Sequence, residues 1–599
     1  MKESWNVNEV FRNAPHIREN NKLERKKGML KIIISAVIFI NLGIGLLEAQ
    51  IAINEKNKNL LPNPGFEEFN GDVPVDWEIE SQNQEILKEK LGKGKPGHDG
   101  TGSCLEFRPG NIDSDVAVRS TLVPVCGNAH YVFKGYYRSE CEKVVVTGSW
   151  YDSGKKAIGS KFKLVLPETQ GKWIEFFDEA SSPNDAKYLE LELRKKWESK
   201  RVCFDDLSLR AGKLLDYEKE FSVTGLPDGQ WRFPIYASQN PHPSFGAQYD
   251  KDRFHAEYAL AGFTMSSGAN GKFGLKITTG LVAKKNDQEI VALGKDPNVW
   301  GFQGKDEPGV SDLPALGIES ARVRQFAPSK DYYVNLFPVY AFKTKIEYED
   351  YVQNFIDTVK PRFFSHDSYV LKKDGGCSAD AFFSNLEIVR RLALQSHVDF
   401  GVLLCVLQHG PFRSSSEIDL KWQAYCTLVY GSKFMGWFTY LLPAPSGDWN
   451  WKDAVIDREG NRTRHYSMIK RLNHEILSLG PTLLRLRSTG VFFTNPNIGE
   501  NTGTYNKVGD GKVVRNISGE TGEGLIVGEF SDEKNISYIM VVNRDFKDSQ
   551  NGIIEFYQTK KIFECSKQTG EWMPLDNVVS ATEFKCALDP GEGRLFKME

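Results

Sequence analysis

The chain has 599 residues, of which 40% are hydrophobic, 12% aromatic and 26% charged, a composition typical of a folded globular protein. Its 76 Lys and Arg nearly balance its 79 Asp and Glu, for a net charge of -3, which argues against a nucleic-acid partner. This length exceeds what one hydrophobic core serves, so several domains are expected.

The N-terminal segment, residues 1–50, has the pattern of a targeting sequence. A basic stretch at 22–31 precedes an apolar run at 32–47, and Leu47-Glu48-Ala49 resembles a small-residue cleavage site. The apolar run is shorter than the roughly 20 residues that a membrane span needs. We therefore predict a signal peptide cleaved near Ala49 and a secreted, periplasmic or cell-surface protein. An uncleaved N-terminal membrane anchor is the alternative.

The nine cysteines are distributed unevenly along the chain. Export permits disulfides, and Cys565 and Cys586 fall where a disulfide could bridge two late strands. The odd total leaves at least one free thiol within a single chain. No Cys-x-x-Cys or Cys/His spacing indicates a zinc site.

Residues 58–212 have an all-β pattern, in which short runs of alternating polarity recur between turns, as in a sandwich or jelly roll. The opening LLPNPGFEEF…VPVDW and the closing CFDDLSL resemble jelly-roll carbohydrate-binding modules of the family 4/9/22 type. That resemblance implies a structural calcium with Glu67 and Asp205 as ligands, since hard carboxylate oxygens suit calcium. Tyr137 and Trp150 are candidate sugar-facing rings. Two alternatives stay open: the two acids are solvated turn residues, and the module binds no sugar.

After a predicted linker at 213–230, the pattern changes to alternating strands and helices. The predicted strands are 233–237, 262–266, 274–278, 299–303, 332–337, 362–365, 400–407 and 434–440. The predicted helices are 252–261, 312–326, 348–359, 382–396 and 416–430, with a closing helix at 466–476. This alternation predicts a (β/α)8 TIM barrel over 231–482. A doubly wound open sheet is the alternative, although no glycine-rich phosphate loop supports it.

The last segment, 483–599, returns to short strands such as 524–530 and 537–543. Its ending LDPGEGRLF resembles the last strand of the C-terminal β-sandwich found in many barrel glycosidases. The predicted fold class is therefore multidomain, with an N-terminal all-β jelly roll, a central barrel and a C-terminal all-β sandwich.

The stretch 300–309 is an apolar strand that ends in two adjacent carboxylates, Asp306 and Glu307, followed by Pro308. Burial opposes the charged form of both groups, so they must be partnered or used. Catalytic groups of barrel enzymes gather at the carboxyl ends of the strands. The alternative is helix capping, because Ser311-Asp312 follows closely.

Polar and aromatic residues stand at most other predicted strand ends. Each taken alone favours a structural role, and only their coincidence at one barrel face indicates a site. Asp367 after the sixth strand is a further catalytic candidate. The predicted substrate-binding residues are Asn240, His242, Asn335, Gln408, His409, Trp437 and Tyr440. For Trp437 a core role is the alternative.

The stretches WGFQGKDEP, SNLEIVRRLAL and YGSKFMGWFTY resemble clan A glycoside hydrolases, in particular family 42-like barrels of the β-galactosidase type. The resemblance implies that Glu307 is the general acid/base, with Asp306 where the clan usually has asparagine. The clan's nucleophile is a glutamate at the end of the seventh strand. This chain has Gln408 there, and an amide cannot act as that nucleophile.

Three hypotheses accommodate this departure. Asp306-Glu307-Pro308 resembles the DEP motif of some barrel β-N-acetylhexosaminidases, which implies that Asp306 orients a 2-acetamido group that attacks in place of the enzyme. Asp367 could instead be the partner of Glu307 and act on a water, in which case carboxyl groups about 6.5–9.5 Å apart would make the enzyme inverting and about 5–5.5 Å apart retaining. The third hypothesis is a non-catalytic glycan-binding protein with a degenerate barrel. We predict a secreted glycoside hydrolase with a carbohydrate substrate and no catalytic cofactor.

Overall fold

A computed structural model describes residues 59–80, 90–109, 116–141, 144–169, 171–195, 200–211, 232–239, 251–267, 272–445, 450–496, 498, 505–558, 561–575, 578–580 and 582–599. The predicted leader, the predicted linker, Asn240 and His242 lie outside the described residues. Within these ranges the chain folds mainly as β-strands in several sheets, with fewer helices. None of the helices in these ranges is long and apolar enough to cross a membrane.

The first part of the chain forms two antiparallel sheets around a common core, together with a short antiparallel pair of strands, β1 and β2. One sheet has the order β10-β9-β12-β6-β3, with β7 beside β12, and the other has the order β11-β8-β13-β5-β4. The strands are β1 (Phe69–Asn70), β2 (Val73–Pro74), β3 (Trp77–Glu80), β4 (Leu91–Gly94), β5 (Cys104–Phe107), β6 (Val116–Ser120), β7 (Val123–Pro124), β8 (His130–Ser139), β9 (Val144–Tyr151), β10 (Ala157–Leu166), β11 (Ile174–Ser181), β12 (Tyr188–Lys195) and β13 (Val202–Ala211).

Alternation explains how these strands build their core. Along β12 every second residue is buried, as expected when successive side chains point to opposite faces of a sheet. Tyr137 and Trp150 are on the inward face and are fully buried in this core. A ring without exposed surface cannot stack on a sugar, so the sugar-facing prediction for both was wrong.

In the central part, parallel strands alternate with helices. The strands are β14 (Ile235–Ala237), β15 (Met265–Ser266), β16 (Lys276–Thr279), β17 (Val299–Gln303), β18 (Asp331–Tyr333), β19 (Asn335–Leu336), β20 (Phe363–Ser368), β21 (Asp399–Cys405) and β22 (Phe434–Phe438). The α-helices are α1 (Lys251–Leu260), α2 (Asp287–Lys295), α3 (Leu313–Phe326), α4 (Lys345–Val359), α5 (Ala379–Ser396), α6 (Glu417–Leu428) and α7 (Arg464–Leu483). Short 3₁₀ turns lie at Lys272–Gly274, Val282–Lys284, Val310–Asp312 and Val339–Ala341.

These strands form two parallel sheets, with the orders β14-β22-β21-β20-β19 and β15-β16-β17-β18. Only Val334 separates β18 from β19 along the chain. At the other edge, the Thr264 N–H donates to the Ile235 carbonyl at 2.9 Å. Every predicted central strand coincides with an observed one. Helix α2 was missed, although a capping box formed by Asn286 and Glu289 marks its start.

The last part of the chain forms two further sheets, with the orders β24-β26-β27-β33-β29-β30 and β25-β28-β32-β31. Their strands are β24 (Arg487–Phe493), β25 (Val514–Ser518), β26 (Leu525–Ser531), β27 (Ser537–Asn543), β28 (Gln550–Phe556), β29 (Ile562–Cys565), β30 (Trp572–Pro574), β31 (Val578–Ser580), β32 (Glu583–Leu588) and β33 (Gly593–Met598). Cys565 and Cys586 lie in different sheets as free thiols. The predicted disulfide between them is therefore not formed.

The N-terminal sheets pack directly against the central part. Strand β23 (Arg462–Thr463) pairs in parallel with β10, so one N-terminal sheet extends into the segment before α7. The Ser467 hydroxyl on α7 donates to Asp178 on β11. The Arg471 guanidinium lies 3.9 Å from the centre of the Phe177 ring. Hydrogen bonding, charge and ring contacts thus join the two parts.

Candidate active site

Three carboxyl groups converge beyond the carboxyl ends of β17, β19 and β20. Asp306 and Glu307 follow β17, and Asp367 stands near the end of β20. The Asn335 side chain joins them, since its Nδ2 donates to Asp306 Oδ1 at 3.1 Å and to Asp367 Oδ1 at 2.8 Å. The fold therefore brings the three predicted catalytic residues into one site.

A backbone turn at Glu307 lets two sequence neighbours face this site. Adjacent residues of a regular strand point to opposite faces, which would separate Asp306 from Glu307. Glu307 has φ of 44°, in the left-handed region that non-glycine residues rarely adopt. Its N–H donates to the Asn335 carbonyl at 2.9 Å, which fixes the turn. Backbone outliers of this kind are enriched at functional sites.

The Asn335 amide is engaged by protein groups at both ends. It is buried, and both of its amide hydrogens go to carboxylates. Its Oδ1 accepts from Ser365 Oγ at 2.6 Å, and Ser365 in turn lies 3.1 Å from the Tyr333 hydroxyl. An asparagine amide offers two donor hydrogens and one acceptor oxygen. The substrate-binding prediction for Asn335 is thus corrected: it positions the carboxylates.

The Glu307 and Asp367 carboxyl groups lie within hydrogen-bonding reach of each other. Two carboxylates only accept, so the contact requires a proton between them. Burial raises the pKa of Asp367 well above its usual range, and the charges of Asp306 and Glu307 add to this, against the Asn335 hydrogen bond. Burial and then the Asp306 charge raise the pKa of Glu307, whereas its hydrogen bond with Asp367 lowers it and raises the pKa of Asp367, so the shared proton rests on Asp367. The pair titrates as a unit and keeps one proton to higher pH than ordinary carboxyls do.

Asp306 is the most exposed of the three acids. Its side chain reaches solvent, but the part of it that is buried raises the pKa of Asp306, while the hydrogen bond from Asn335 lowers that pKa. Its position beside the pair makes it the source of the charge that acts on Glu307 and Asp367.

Aromatic rings form a wall beyond the ends of β20, β21 and β22. The Tyr369 and Phe438 ring centres are 5.6 Å apart, and Trp451 lies 5.6 Å from Phe438. Tyr369, Phe438 and Trp451 are partly exposed. Tyr340, with 46% of its surface exposed, accepts from the Tyr369 N–H at 3.3 Å through its hydroxyl. The sequence prediction missed Tyr340, Phe438 and Trp451, since aromatic residues near strand ends are also common in cores.

The remaining predicted contacts divide by burial. Gln408 is partly exposed, and its backbone exchanges hydrogen bonds with Lys452 at 2.9 and 3.1 Å. His409 is 4% exposed, and burial lowers its pKa to about 4, so the ring is neutral. Its ring centre is 5.1 Å from that of Trp451, so it supports the aromatic wall.

Trp437 and Tyr440 are fully buried. The Trp437 indole donates to Asn473 Oδ1 at 3.0 Å, and Tyr440 packs edge-on against Tyr258. Neither ring offers a face to a sugar, so both substrate-binding predictions were wrong. For Trp437 the physical reason is strand alternation, which turns it into the core and its neighbour Phe438 to the other face, whereas Tyr440 follows the strand and is buried against Tyr258.

The predicted calcium ligands, Glu67 and Asp205, both contact the loop 97–103. Asp205 Oδ2 accepts from the His98 N–H at 2.7 Å, and Glu67 Oε1 accepts from the Ser103 N–H at 3.0 Å. A Cβ on Gly97 would lie 2.6 Å from both Asp205 Oδ2 and the Thr101 carbonyl and 3.1 Å from the Ser103 carbonyl. Carboxylate and carbonyl oxygens therefore surround a small cradle, a donor set that fits calcium.

A different set of side chains lies closest together beside this cradle. In the described part of the chain, His98, Asp205 and Asp206 form a group whose ligand atoms lie within 4.8 Å of one another, and Glu67 is outside it. His98 Nδ1 is 2.7 Å from Asp206 Oδ2. The pairing of Glu67 with Asp205 on one ion remains a prediction.

Neither a protein-family model nor a curated protein matches the chain. Among solved structures, a family 39 glycoside hydrolase from Bacteroides cellulosilyticus WH2 has 12% identity and a TM-score of 0.37, over 78% of this chain and 97% of that one. An agarase has 8% identity and a TM-score of 0.31, over 71% and 100%. A Clostridium thermocellum xylanase with its carbohydrate-binding module has 10% identity and a TM-score of 0.26, over 69% and 96%. Likenesses this low carry no argument about function.

Proposed function

We propose that the chain is a secreted glycoside hydrolase that cleaves O-glycosidic bonds, with Glu307 as general acid/base and Asp367 as its partner. The observation that carries the proposal is that the Asn335 amide joins Asp306 and Asp367 at 3.1 and 2.8 Å while its backbone carbonyl holds the turn at Glu307, so that the three carboxyl groups meet in one site. A pair that keeps one proton holds an acid and a base at once, which acid–base hydrolysis needs. The tests are Glu307→Gln and Asp367→Asn, described in the Discussion.

The surroundings of the pair support a sugar substrate. Aromatic faces stack on the apolar faces of sugars, and Tyr369, two residues after Asp367, is partly exposed and contacts Tyr340 and Phe438, which also reach the surface. The chemistry needs no cofactor, because the pair itself supplies the proton and the carboxylate. Asp367 then takes the nucleophile's role, so the proposed mechanism does not need a glutamate at the position of Gln408.

The spacing of the pair favours direct attack by a carboxylate. Inverting enzymes keep their carboxyl groups about 6.5–9.5 Å apart to admit a water, and retaining enzymes about 5–5.5 Å, so a pair within hydrogen-bonding reach is closer to the retaining spacing. In the proposed reaction the shared proton moves from Asp367 to Glu307 and on to the leaving oxygen, and the Asp367 carboxylate so formed attacks the anomeric carbon. Glu307 then takes a proton from water, whose oxygen attacks the same carbon and releases Asp367.

We also propose that the two central parallel sheets close into the (β/α)8 barrel predicted for residues 231–482. The near-continuity of β18 with β19 and the hydrogen bond from Thr264 to Ile235 support closure. A site at the carboxyl ends of the strands is where barrel enzymes carry their chemistry. The N-terminal sheets at 58–212 would be the jelly roll, and 483–599 the C-terminal sandwich.

Asp306→Asn is expected to move the alkaline limb of the pH–rate profile to lower pH. The Asp306 charge raises the pKa of both Glu307 and Asp367, so its removal lets the pair lose the shared proton earlier. The shift should be the same on N-acetylated and plain aryl glycosides. A loss confined to the N-acetylated substrates would instead support acetamido assistance by Asp306.

Calcium is proposed to stabilise the N-terminal module. If Glu67, Asp205 and the loop carbonyls bind the ion, adding a chelator should lower Tm by several degrees, and calcium should restore it. Asp205→Asn should abolish this response, whereas Asp152→Asn on an exposed turn of the same module should leave it intact. An identical Tm with chelator and with calcium would contradict the site.

A further inference from the structure

We infer that Trp451 is a substrate-contacting residue, and that the N-terminal sheets hold it in place, so that they form part of the active site. This rests on the proposed function, because it treats the carboxyl pair and the aromatic wall as one sugar-binding site. The inference concerns the segment 451–464, which runs from the site to the start of α7.

Trp451 is placed beside the site by its neighbours. Its ring centre lies 5.1 Å from His409 and 5.6 Å from Phe438, and it is partly exposed. The next residue, Lys452, exchanges both backbone hydrogen bonds with Gln408 at 2.9 and 3.1 Å, so the segment is tied to the end of β21. Tyr369 also packs against Phe438, with ring centres 5.6 Å apart.

The N-terminal sheets hold this segment at both ends. Near Trp451, Lys452 Nζ lies 3.6 Å from the Glu168 carboxylate, which follows β10. At the other end, β23 pairs with β10, with Leu164 opposite Arg462 and Val165 opposite Thr463. The segment therefore cannot move away from the site without breaking contacts to the sandwich.

A buried network stiffens the segment between these anchors. Arg464 Nη2 donates to Asp453 Oδ2 at 2.9 Å, and both residues are buried. The His465 ring lies against the Asp453 carbonyl at 2.9 Å and the Ser415 carbonyl at 2.6 Å. Breaking a buried ion pair is costly, so Asp453 is held firmly in place. Trp451 is only two residues away and is therefore restricted in its movement. A rigid aromatic ring loses little entropy on binding and suits a sugar subsite.

The ligand class follows from the charges. Three acids face the site, and a negatively charged sugar would be repelled by them. Aromatic walls favour sugars that present an apolar face. We therefore assign Trp451 to a subsite for a neutral sugar unit next to the unit at the carboxyl pair, so the substrate is a neutral oligosaccharide rather than a monosaccharide derivative.

The test uses the full chain in a Glu307→Gln background, so that binding is measured without turnover. The probes are neutral tetrasaccharides built from glucose, galactose, xylose or N-acetylglucosamine, with affinity measured by calorimetry. Trp451→Ala is expected to weaken binding about tenfold and Trp451→Phe by no more than about threefold. Tyr557→Ala, which removes an exposed ring of the C-terminal sheets, should leave affinity unchanged.

A charge swap tests the role of the sandwich. Glu168→Lys places two cations together and should weaken binding about threefold with Tm unchanged, and Glu168→Lys with Lys452→Glu should restore it. Glu175→Lys breaks a similar 3.6 Å pair with Lys134 and should have no effect. In the catalytically active protein, Trp451→Ala and Glu168→Lys should raise KM and leave kcat unchanged.

The outcomes separate the two proposals. The inference is overturned if Trp451→Ala binds the tetrasaccharides as tightly as its parent. It is also overturned if Glu168→Lys binds as tightly as its parent, and both outcomes hold even if the wild type hydrolyses glycans. Binding that depends on Trp451 without any turnover by the wild type supports the subsite and overturns the hydrolase. No binding of any probe overturns the inference.

Discussion

Replacing Glu307 with Gln should lower the rate of glycan hydrolysis by roughly a thousandfold, within the range of about 10²–10⁴ that a positioned acid or base contributes. The amide has the same shape but cannot donate the proton that the Glu307–Asp367 pair shares. The measurement is the initial rate of reducing-end release at the optimum pH of the wild type. Glu319→Gln, at a glutamate that accepts from the Tyr332 hydroxyl at 2.8 Å, should keep full activity.

The same variant should be more heat-stable than the wild type at neutral and higher pH. The folded-state pKa of Glu307 is raised, so the stability it contributes is present below its unfolded pKa and is lost as pH rises through the folded value. A neutral amide does not ionise and escapes this loss. Comparison of Tm at acid and neutral pH should therefore show an advantage of Glu307→Gln only at the higher pH. An inactive variant with lower Tm at every pH would indicate misfolding instead.

Asp367→Asn should cause a second loss of about 10²–10⁴ in rate, because it removes the carboxylate that attacks and the partner of the shared proton. Any residual activity should have its alkaline limb at lower pH, since only Glu307 is left to hold a proton and its pKa is raised less than that of Asp367. The measurement is the full pH–rate profile.

Asp331→Asn is the matched control for Asp367. Burial raises the pKa of Asp331 too, but it stands at the start of β18, at the opposite end of the strands from the site. Its activity and pH profile should match those of the wild type. Equal loss in both variants would mean that removing any buried acid damages the enzyme, and would remove the special role of Asp367.

The sequence was sufficient to locate the central strands and the three acids. Apolar runs that end in turn residues mark buried parallel strands, and the observed β17 has the predicted bounds, Val299–Gln303. Asp306, Glu307 and Asp367 could be placed at strand ends for the same reason. The calcium ligands could be named only through the resemblance of the module's two ends to a known family.

Side-chain direction and partnership could not be predicted. The φ of Glu307 depends on a hydrogen bond to Asn335, which lies far along the chain. Whether Trp437 or Phe438 faces the site depends on the register of β22, and a shift of one residue reverses the answer. Trp451 lies on a segment that the N-terminal sheets hold in place. The local sequence around Trp451 does not predict those distant contacts.

The most direct measurement of the central claim is mass spectrometry of the products formed from the neutral tetrasaccharides in ¹⁸O-labelled water. Hydrolysis by the Glu307–Asp367 pair predicts shorter fragments with one ¹⁸O at the new reducing end, above a protein-free control, and none with Glu307→Gln. Absence of fragments with the wild type, or equal fragments with Glu307→Gln, would contradict the account.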